Sequence, residues 1–505
     1  MTTSEKQFAA TTNYSPESIE AALAAFRQSY PAFETTRALD DLRAREYARL
    51  DKLNQVYLDY TGGGLYAESQ LREHLALLQN NVFGNPHSNN PTSLAMTHLV
   101  EQARAYVFEF FNASPDEYVV IFTPNASGAL KLVGESYPFA PGGRYVLTFD
   151  NHNSVNGIRE FARAKGAAVT YAPLTLPDMR IDTAKLNQYL DQAQAGQYNL
   201  LAYPAQSNFS GVQHPLELIA QAREKGWDVL LDCAAFAPTN RLDLSRWQPD
   251  FVPLSFYKIF GYPTGVGCLI ARKAALAKLR RPWFAGGTIT ITSVQGEGWH
   301  YLVEGEAGFE DGTVNYLNLP AVEIGLRHIA AIGIETIHQR VTCLTGWLLD
   351  SMQALRHSNG APLIQIYGPA SKNQRGGTIA FNLFDPHGTP FDFRQIESLA
   401  NKANISLRTG CFCNPGAGET AHHITKEEMA QCFINQKPMS FNQFFNFIQS
   451  QGGKYPSTIR ISVGLVTNFA DVYHFMRFTQ GFVDKSAAEI GIGAVDGDRS
   501  IRDTA

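Results

Sequence analysis

A mainly parallel seven-stranded α/β domain joined to a smaller α+β domain is the architecture that this 505-residue sequence predicts. Three observations carry the prediction. Seven short apolar runs (EYVVIFT, RYVLTFD, AAVTYAP, NLLAYPA, DVLLDCA, FVPLSF and GVGCLIA) follow one another before about residue 275. Helical patterns such as GIREFARAKG and PLELIAQAREKG separate several of them and end at glycine, a common helix terminator. The runs are apolar almost throughout, as strands are when helices cover both faces of a parallel sheet.

In chain order, residues 1–50 read as an N-terminal arm, helical from about residue 15 and rich in Ala, Leu, Arg and Glu. QVYLDYTGGG follows as a short strand entering a glycine turn. The large domain is expected over 51–320. A long helical stretch, AVEIGLRHIAAIGIETIHQRV, opens the smaller domain, expected over 321–484. There the strands TIAFNLF, ISLRTG and TIRISVGL are more widely spaced, DVYHFMRFTQGFV reads as the last packed helix, and the arm is expected to return to this domain. Residues 485–505 are polar and Gly/Asp-rich, the composition of a tail that buries little.

Hydrophobic residues at 44% and charged residues at 18% suit a globular protein with a large core. The net charge of -5 and the lack of any Lys/Arg block argue against a nucleic-acid partner. No apolar run is long enough to span a bilayer, and the polar start carries no secretory pattern, so a cytoplasmic, membrane-free protein is expected. Six cysteines are too few for a disulfide framework, and Cys233, Cys268, Cys343 and Cys432 read as small buried hydrophobes. Cys411 and Cys413 lie instead in the loop-like segment RTGCFCNPGAG. No second pair with ligand spacing accompanies them, so no metal is expected.

In parallel α/β sheets, ligands gather at the carboxyl ends of the strands. The polar clusters TPNAS, DNHNS, PAQSNFSG, DCAAF and SFYK all sit at such ends. Together they meet the needs of pyridoxal phosphate: a lysine amine for a Schiff base, an acid for the pyridine nitrogen, an anion cradle and a flat partner for the ring. Lys258, flanked by Phe256, Tyr257 and Phe260, is the candidate amine, and its alternative is a solvated surface lysine. Asp232 ends an apolar strand and suits the pyridinium nitrogen, or else a helix N-cap. The backbone N–H groups of Ala126 and Ser127, with the Ser127 hydroxyl and the helix dipole, would hold the phosphate, and Ser255 and Tyr257 would add hydroxyls. His152 would cover the ring or move protons, though a structural histidine reads nearly as well, and Asn208 would reach the ring oxygen. Arg460 is expected to clamp a substrate carboxylate, with Arg408 as the rival.

In this order the motifs resemble class V aminotransferase-fold enzymes, most closely the desulfurase domain of molybdenum cofactor sulfurases. The resemblance rests on YLDYTGGGLY, NPHSNNPTS, DNHNSVNGIREFA, YPAQSNFSGVQHP, SFYKIFGYPTGVGCLIA, FEDGTVNYLNLPA, LRTGCFCNPGAG and STIRISVG, from about residue 55 to 480. It implies the fold type I of pyridoxal-phosphate-dependent transferases, with Lys258 as the Schiff-base lysine, Asp232 as the ring acid and His152 as the stacking residue. Ser127 and Ser255 match phosphate ligands. Thr313 in EDGT matches a threonine reaching the neighbouring subunit's phosphate, which implies a homodimer. Arg460 matches the substrate-carboxylate arginine. Cys413 matches the cysteine that takes sulfur from L-cysteine as a persulfide, carried on a mobile loop, with Cys411 as the rival nucleophile. Two departures stand out. Gly418 replaces a further family cysteine, and only a short polar stretch follows the last helix, so the family's molybdenum-cofactor-binding module is not expected. A separate sulfur-acceptor protein is one expectation. Another pyridoxal-phosphate reaction on an amino acid (a lyase, an epimerase or a bond-forming biosynthetic enzyme) is the alternative.

Overall fold

The computed structural model describes residues 16–295, 298–434 and 439–490. The seven apolar runs form one sheet of strands β1 (Tyr118–Thr123), β2 (Arg144–Thr148), β3 (Ala168–Ala172), β4 (Asn199–Pro204), β5 (Asp228–Asp232), β6 (Phe251–Ser255) and β7 (Gly267–Arg272). Across the sheet the order is β1-β7-β6-β5-β4-β2-β3. Every pair is parallel except those of β7, which runs antiparallel to both β1 and β6. β4, β5 and β6 are buried along their whole length, as the unbroken apolar runs require. On β1, Val119 and Ile121 enter one core cluster while Tyr118, Val120 and Phe122 enter the other, the two-residue alternation of a pleated strand.

The smaller sheet is antiparallel. Its strands are β8 (Ile364–Tyr367), β9 (Thr378–Leu383), β10 (Arg408–Gly410) and β11 (Thr458–Ser462), in the order β8-β9-β11-β10. The run ISLRTG divides. Ile405–Ser406 pairs in parallel with Val56–Tyr57, and only Arg408–Gly410 joins the main small sheet. Asp59 bridges to Ser462 of β11, so the YLDYT segment, which opens the stretch read as large domain, is structurally an edge of the small sheet. The long helical stretch also divides, into Pro320–Ile332 and Ile334–Ala354, because Gly333 between them takes a positive φ of 88° that helices exclude.

The helix Pro16–Ser29 and the turn Pro31–Thr36 return to the small domain. Phe26 stacks on Phe469 at 4.8 Å, and the fully buried Arg340 donates to Thr36 and Asp40. The expected polar tail lies mostly outside the described residues; within them, Ala487–Ile490 makes one helical turn with Ile490 buried. Among the described residues, no helix is long and apolar enough to cross a membrane.

Candidate active site

A cleft of roughly 670 Å³ opens at the carboxyl ends of the large-sheet strands. It collects Ala126, Ser127, His152, Asn208, Asp232, Ser255, Tyr257 and Lys258, eight of the residues singled out in the sequence. Lys258 comes one helical turn after β6 and Asp232 is the last residue of β5, so adjacent parallel strands deliver amine and acid to one rim. The Asp232 carboxylate is buried and accepts the Ala234 N–H at 3.0 Å. Burial pushes the Lys258 amine below its ordinary pKa against the opposing pull of Asp232, toward the neutral form that reacts with a carbonyl. Burial and the Lys258 charge push His152 down to about 4, so its ring is neutral at physiological pH. His152 Nδ1 accepts the Ser154 N–H at 3.1 Å, which fixes that nitrogen as the unprotonated one.

The anion cradle is assembled from three strand ends. The helix Ala126–Ser136 points its N-terminus into the cleft, the Ala126 N–H donates to Ser255 Oγ at 2.9 Å, and Ser127 Oγ lies 2.6 Å from Ser154 Oγ. Ser154 was not among the sequence candidates, although DNHNS contains it; only the fold brings the β1 and β2 loops together. The donor chemistry suits a phosphorylated aromatic aldehyde: hydroxyls and a helix N-terminus for the dianion, a buried carboxylate, a neutral imidazole and a lysine of lowered pKa.

The second wall comes from the small domain. Arg460 on β11 is buried; its Nη2 donates to Asp59 Oδ1 at 2.9 Å and its Nη1 to the Asn208 carbonyl at 3.0 Å. Arg408 grips the other Asp59 oxygen through Nε at 3.0 Å and Nη2 at 2.7 Å. Asp59, absent from the sequence candidates, thus joins the two rival arginines into one group. Arg460 Nε is buried and has no hydrogen-bond partner among the described residues.

Cys413 lies beyond these arginines. Burial raises its thiol pKa, while the charges of Lys258, Arg408 and Arg460 oppose the rise. Cys411 is also raised by burial, without any of those three cations acting on it. Their segment, 411–414, joins β10 to the helix Pro415–Ala421. Phe412 and Cys413 hold left-handed φ values of 56° and 53°, costing roughly 1–2 kcal/mol each for non-glycine residues. The Phe412 ring is buried against Phe209 and under the Arg460 guanidinium, 4.6 Å away. Asn208 lines the cleft and also bonds to the cysteine segment. Its Nδ2 donates to the Phe412 carbonyl at 2.7 Å and its Oδ1 accepts Asn414 Nδ2 at 2.8 Å, leaving one amide hydrogen for a ring oxygen.

Thr313 is exposed, outside this chain's own cleft, and its hydroxyl accepts Asn85 Nδ2 at 3.3 Å. Cys233, Cys268, Cys343 and Cys432 are buried. No group of three or more His, Cys, Asp or Glu side chains among the described residues is arranged to hold a metal ion.

Residues 56–475 match the sequence model of the aminotransferase class-V family. The chain belongs to that family. It is a pyridoxal-phosphate-dependent enzyme with the corresponding α/β fold. The molybdenum cofactor sulfurase of Arabidopsis thaliana is 34% identical, over 94% of this chain and 62% of its own length. That of Bos taurus is 37% identical, over 87% of this chain and 51% of its own. The chain thus spans about half to three-fifths of the length of these relatives. Among solved structures, the cysteine desulfurase of Thermococcus onnurineus NA1 superposes with a TM-score of 0.69 at 22% identity, covering 86% of this chain and 96% of that one. The cysteine desulfurase CsdA of Escherichia coli gives 0.67 at 20% identity, covering 87% and 97%.

Proposed function

We propose that the protein removes sulfur from L-cysteine, leaving L-alanine and a persulfide on Cys413, and passes that sulfur to an acceptor protein. The observation that supports this reading is the seating of the Cys413 segment on the loops that line the cleft: the Cys413 carbonyl accepts the Asn153 N–H at 2.7 Å, and the Phe412 carbonyl accepts Nδ2 of the cleft residue Asn208 at 2.7 Å. Lys258 would hold the cofactor covalently, Asp232 would face its ring nitrogen and His152 its ring. Ser127, Ser154, Ser255 and Tyr257 would hold its phosphate, and Asn208 would keep one hydrogen for its ring oxygen. Bound there, the cofactor supplies an electron sink for charge developing on the substrate carbon.

The chain's own groups supply the rest. Arg460, oriented by Asp59, fixes the substrate carboxylate, and Arg408 extends the same positive surface. Lys258, released as a neutral amine, removes the Cα proton. The Cys413 sulfur, once deprotonated, attacks the substrate sulfur. The new S–S bond forms as the substrate's C–S bond breaks, the electron pair stays with the β-carbon, which takes up the proton that Cys413 gave up, and Lys258 returns its proton to Cα to give alanine. An acceptor thiol then attacks the outer sulfur and restores the Cys413 thiol.

The active unit would be a homodimer in which Thr313 contacts the neighbouring cleft. Support comes from the exposed position of Thr313 and from the adjacent hairpin Ile289–Thr292/His300–Leu302, whose base touches Gly312. This hairpin region leaves Trp283, Ile291, Trp299 and Tyr301 exposed, a patch that a second copy would cover. A cytoplasmic location is proposed on the same sequence grounds as before.

Incubating the holoenzyme with L-cysteine and a reductant should yield alanine and sulfide in equal amounts. Cys413→Ser should lower that yield at least about 100-fold while leaving cofactor absorbance intact. Full alanine production by Cys413→Ser would sink the desulfurase reading and favour an elimination or another reaction on the same cofactor.

A further inference from the structure

We propose that Asn414 and Asn208 are positioning residues, forming a clamp that seats the Cys413 segment on the large domain and so sets the sulfur's place for transfer. The proposal rests on the desulfurase reading for its purpose, while the clamp itself stands on geometry alone.

The segment leaves β10 at Gly410 and enters the helix Pro415–Ala421 after four residues. Phe412 and Cys413 in its middle are both left-handed, and neither is a residue type that favours that region. Such a pair does not hold itself. The large domain grips both of its carbonyls: Phe412 O accepts Asn208 Nδ2 at 2.7 Å, and Cys413 O accepts the Asn153 N–H at 2.7 Å. Asn414, with no exposed surface, closes the clamp by donating Nδ2 to the Asp150 carbonyl at 2.7 Å and to Asn208 Oδ1 at 2.8 Å. Asp150 is held from behind by His214 Nε2 at 2.7 Å, a fully buried pair. The partners come from the loops after β2 and β4, the same loops that carry His152 and Asn208 into the cleft. Displacing either loop would therefore move the cysteine with the cofactor's surroundings.

Asn414 does two separable jobs. Its Oδ1 accepts the Ala417 N–H at 3.2 Å and caps the following helix, while its Nδ2 makes the clamp. Asn414→Asp keeps the capping oxygen, which suits a helix N-terminus, but places a second acceptor against the Asp150 carbonyl and Asn208 Oδ1. A merely structural role predicts that this variant behaves as wild type, whereas the clamp predicts release of the segment.

The test uses the holoenzyme and follows iodoacetamide alkylation of Cys413, located by peptide fragmentation. Asn414→Asp and Asn208→Ala should each speed alkylation about tenfold, and the double variant should add little to the larger single effect, since both break one clamp. Cofactor absorbance should be unchanged in Asn414→Asp, whose side chain does not line the cleft. For alanine formation, kcat should fall about tenfold while KM moves less than twofold. Should Asn414→Asp not fold, the alkylation rate of Asn208→Ala, at a half-buried residue, decides the matter alone. Alkylation at the wild-type rate in every folded, cofactor-loaded variant would overturn the clamp. If wild-type enzyme makes no alanine from L-cysteine, the desulfurase reading falls, while the alkylation contrast still decides whether the segment is clamped.

Discussion

Lys258, Asp232 and Ser127 reach the cleft within a few residues of strands of one sheet. Asp59, Arg460 and Cys413 reach it from the small sheet and its loops, through bonds between residues 204 to 401 apart in the chain. The first wall is rigid because its strands are fully buried and its polar residues emerge where the ladders end. The second wall holds its shape through side-chain hydrogen bonds and a left-handed pair of residues, each contact worth only about 1 kcal/mol. Chemistry common to pyridoxal-phosphate enzymes would thus reside on the wall that is hard to deform. The residue proposed to handle sulfur would sit on the wall that small changes can shift.

Substitutions that hit one wall and spare the other test that contrast. The largest effect is expected at Lys258. Lys258→Ala should abolish the borohydride-stabilised mass increase on its peptide and lower turnover about 10³-fold, while urea stability stays near that of the wild type. A cofactor adduct surviving in this variant would show that the first wall is misassigned.

Gly416→Ala strikes the second wall. A Cβ at that position would lie 1.9 Å from the Phe149 carbonyl, so the helix start must back away from the end of β2. Stability should drop by about 1–3 kcal/mol in urea unfolding, and alanine formation should fall about tenfold while cofactor absorbance persists. Loss of cofactor along with activity would mean that the two walls are not independent.

Asp59→Asn sharpens the comparison further. It removes the charge shared by Arg408 and Arg460 with little change in shape, and it leaves the buried Arg460 without an ionised partner. The cost should be about 2 kcal/mol of stability, together with a raised KM for the amino acid as Arg460 loses its orientation. An unchanged KM would remove Asp59 from the site.

The smallest effect concerns acid stability. His422, its Nε2 within 2.8 Å of Thr458 Oγ1 on the small-domain side, is pushed down to about 4 by burial and by the neighbouring His423. Its unfolded form binds a proton near pH 6.5, so between about 6.5 and 4 the unfolded state holds more protons and stability declines as pH falls. His422→Gln should flatten the fall of Tm across that window, and an identical pH profile would exclude His422 as a contributor.

How much was legible in the residues follows the same division. Strand-end polar residues such as Asp232 and Lys258 could be read because a five-residue apolar strand followed by a polar residue is a local pattern. Asp59 passed unnoticed in YLDYTGGG because nothing local distinguishes a structural aspartate from one that bridges two arginines far along the chain. Asn414 was quoted within CFCNPG, yet its two partners, Asp150 and Asn208, lie on other loops, and Ser154 meets Ser127 only where the ends of β1 and β2 converge.

By itself the sequence determined the parallel α/β architecture, the order of its strands along the chain and the amine, acid and anion cradle at their ends. Hydrophobic period and strand-end polarity are properties of neighbouring residues, and they persist whatever the rest of the chain does. Only the tertiary structure decided that Asp59 joins the two arginines, and that the carbonyls of Phe412 and Cys413 meet Asn208 and Asn153 of the large domain. Those outcomes depend on distances between groups hundreds of residues apart, which are set only when the two sheets pack together.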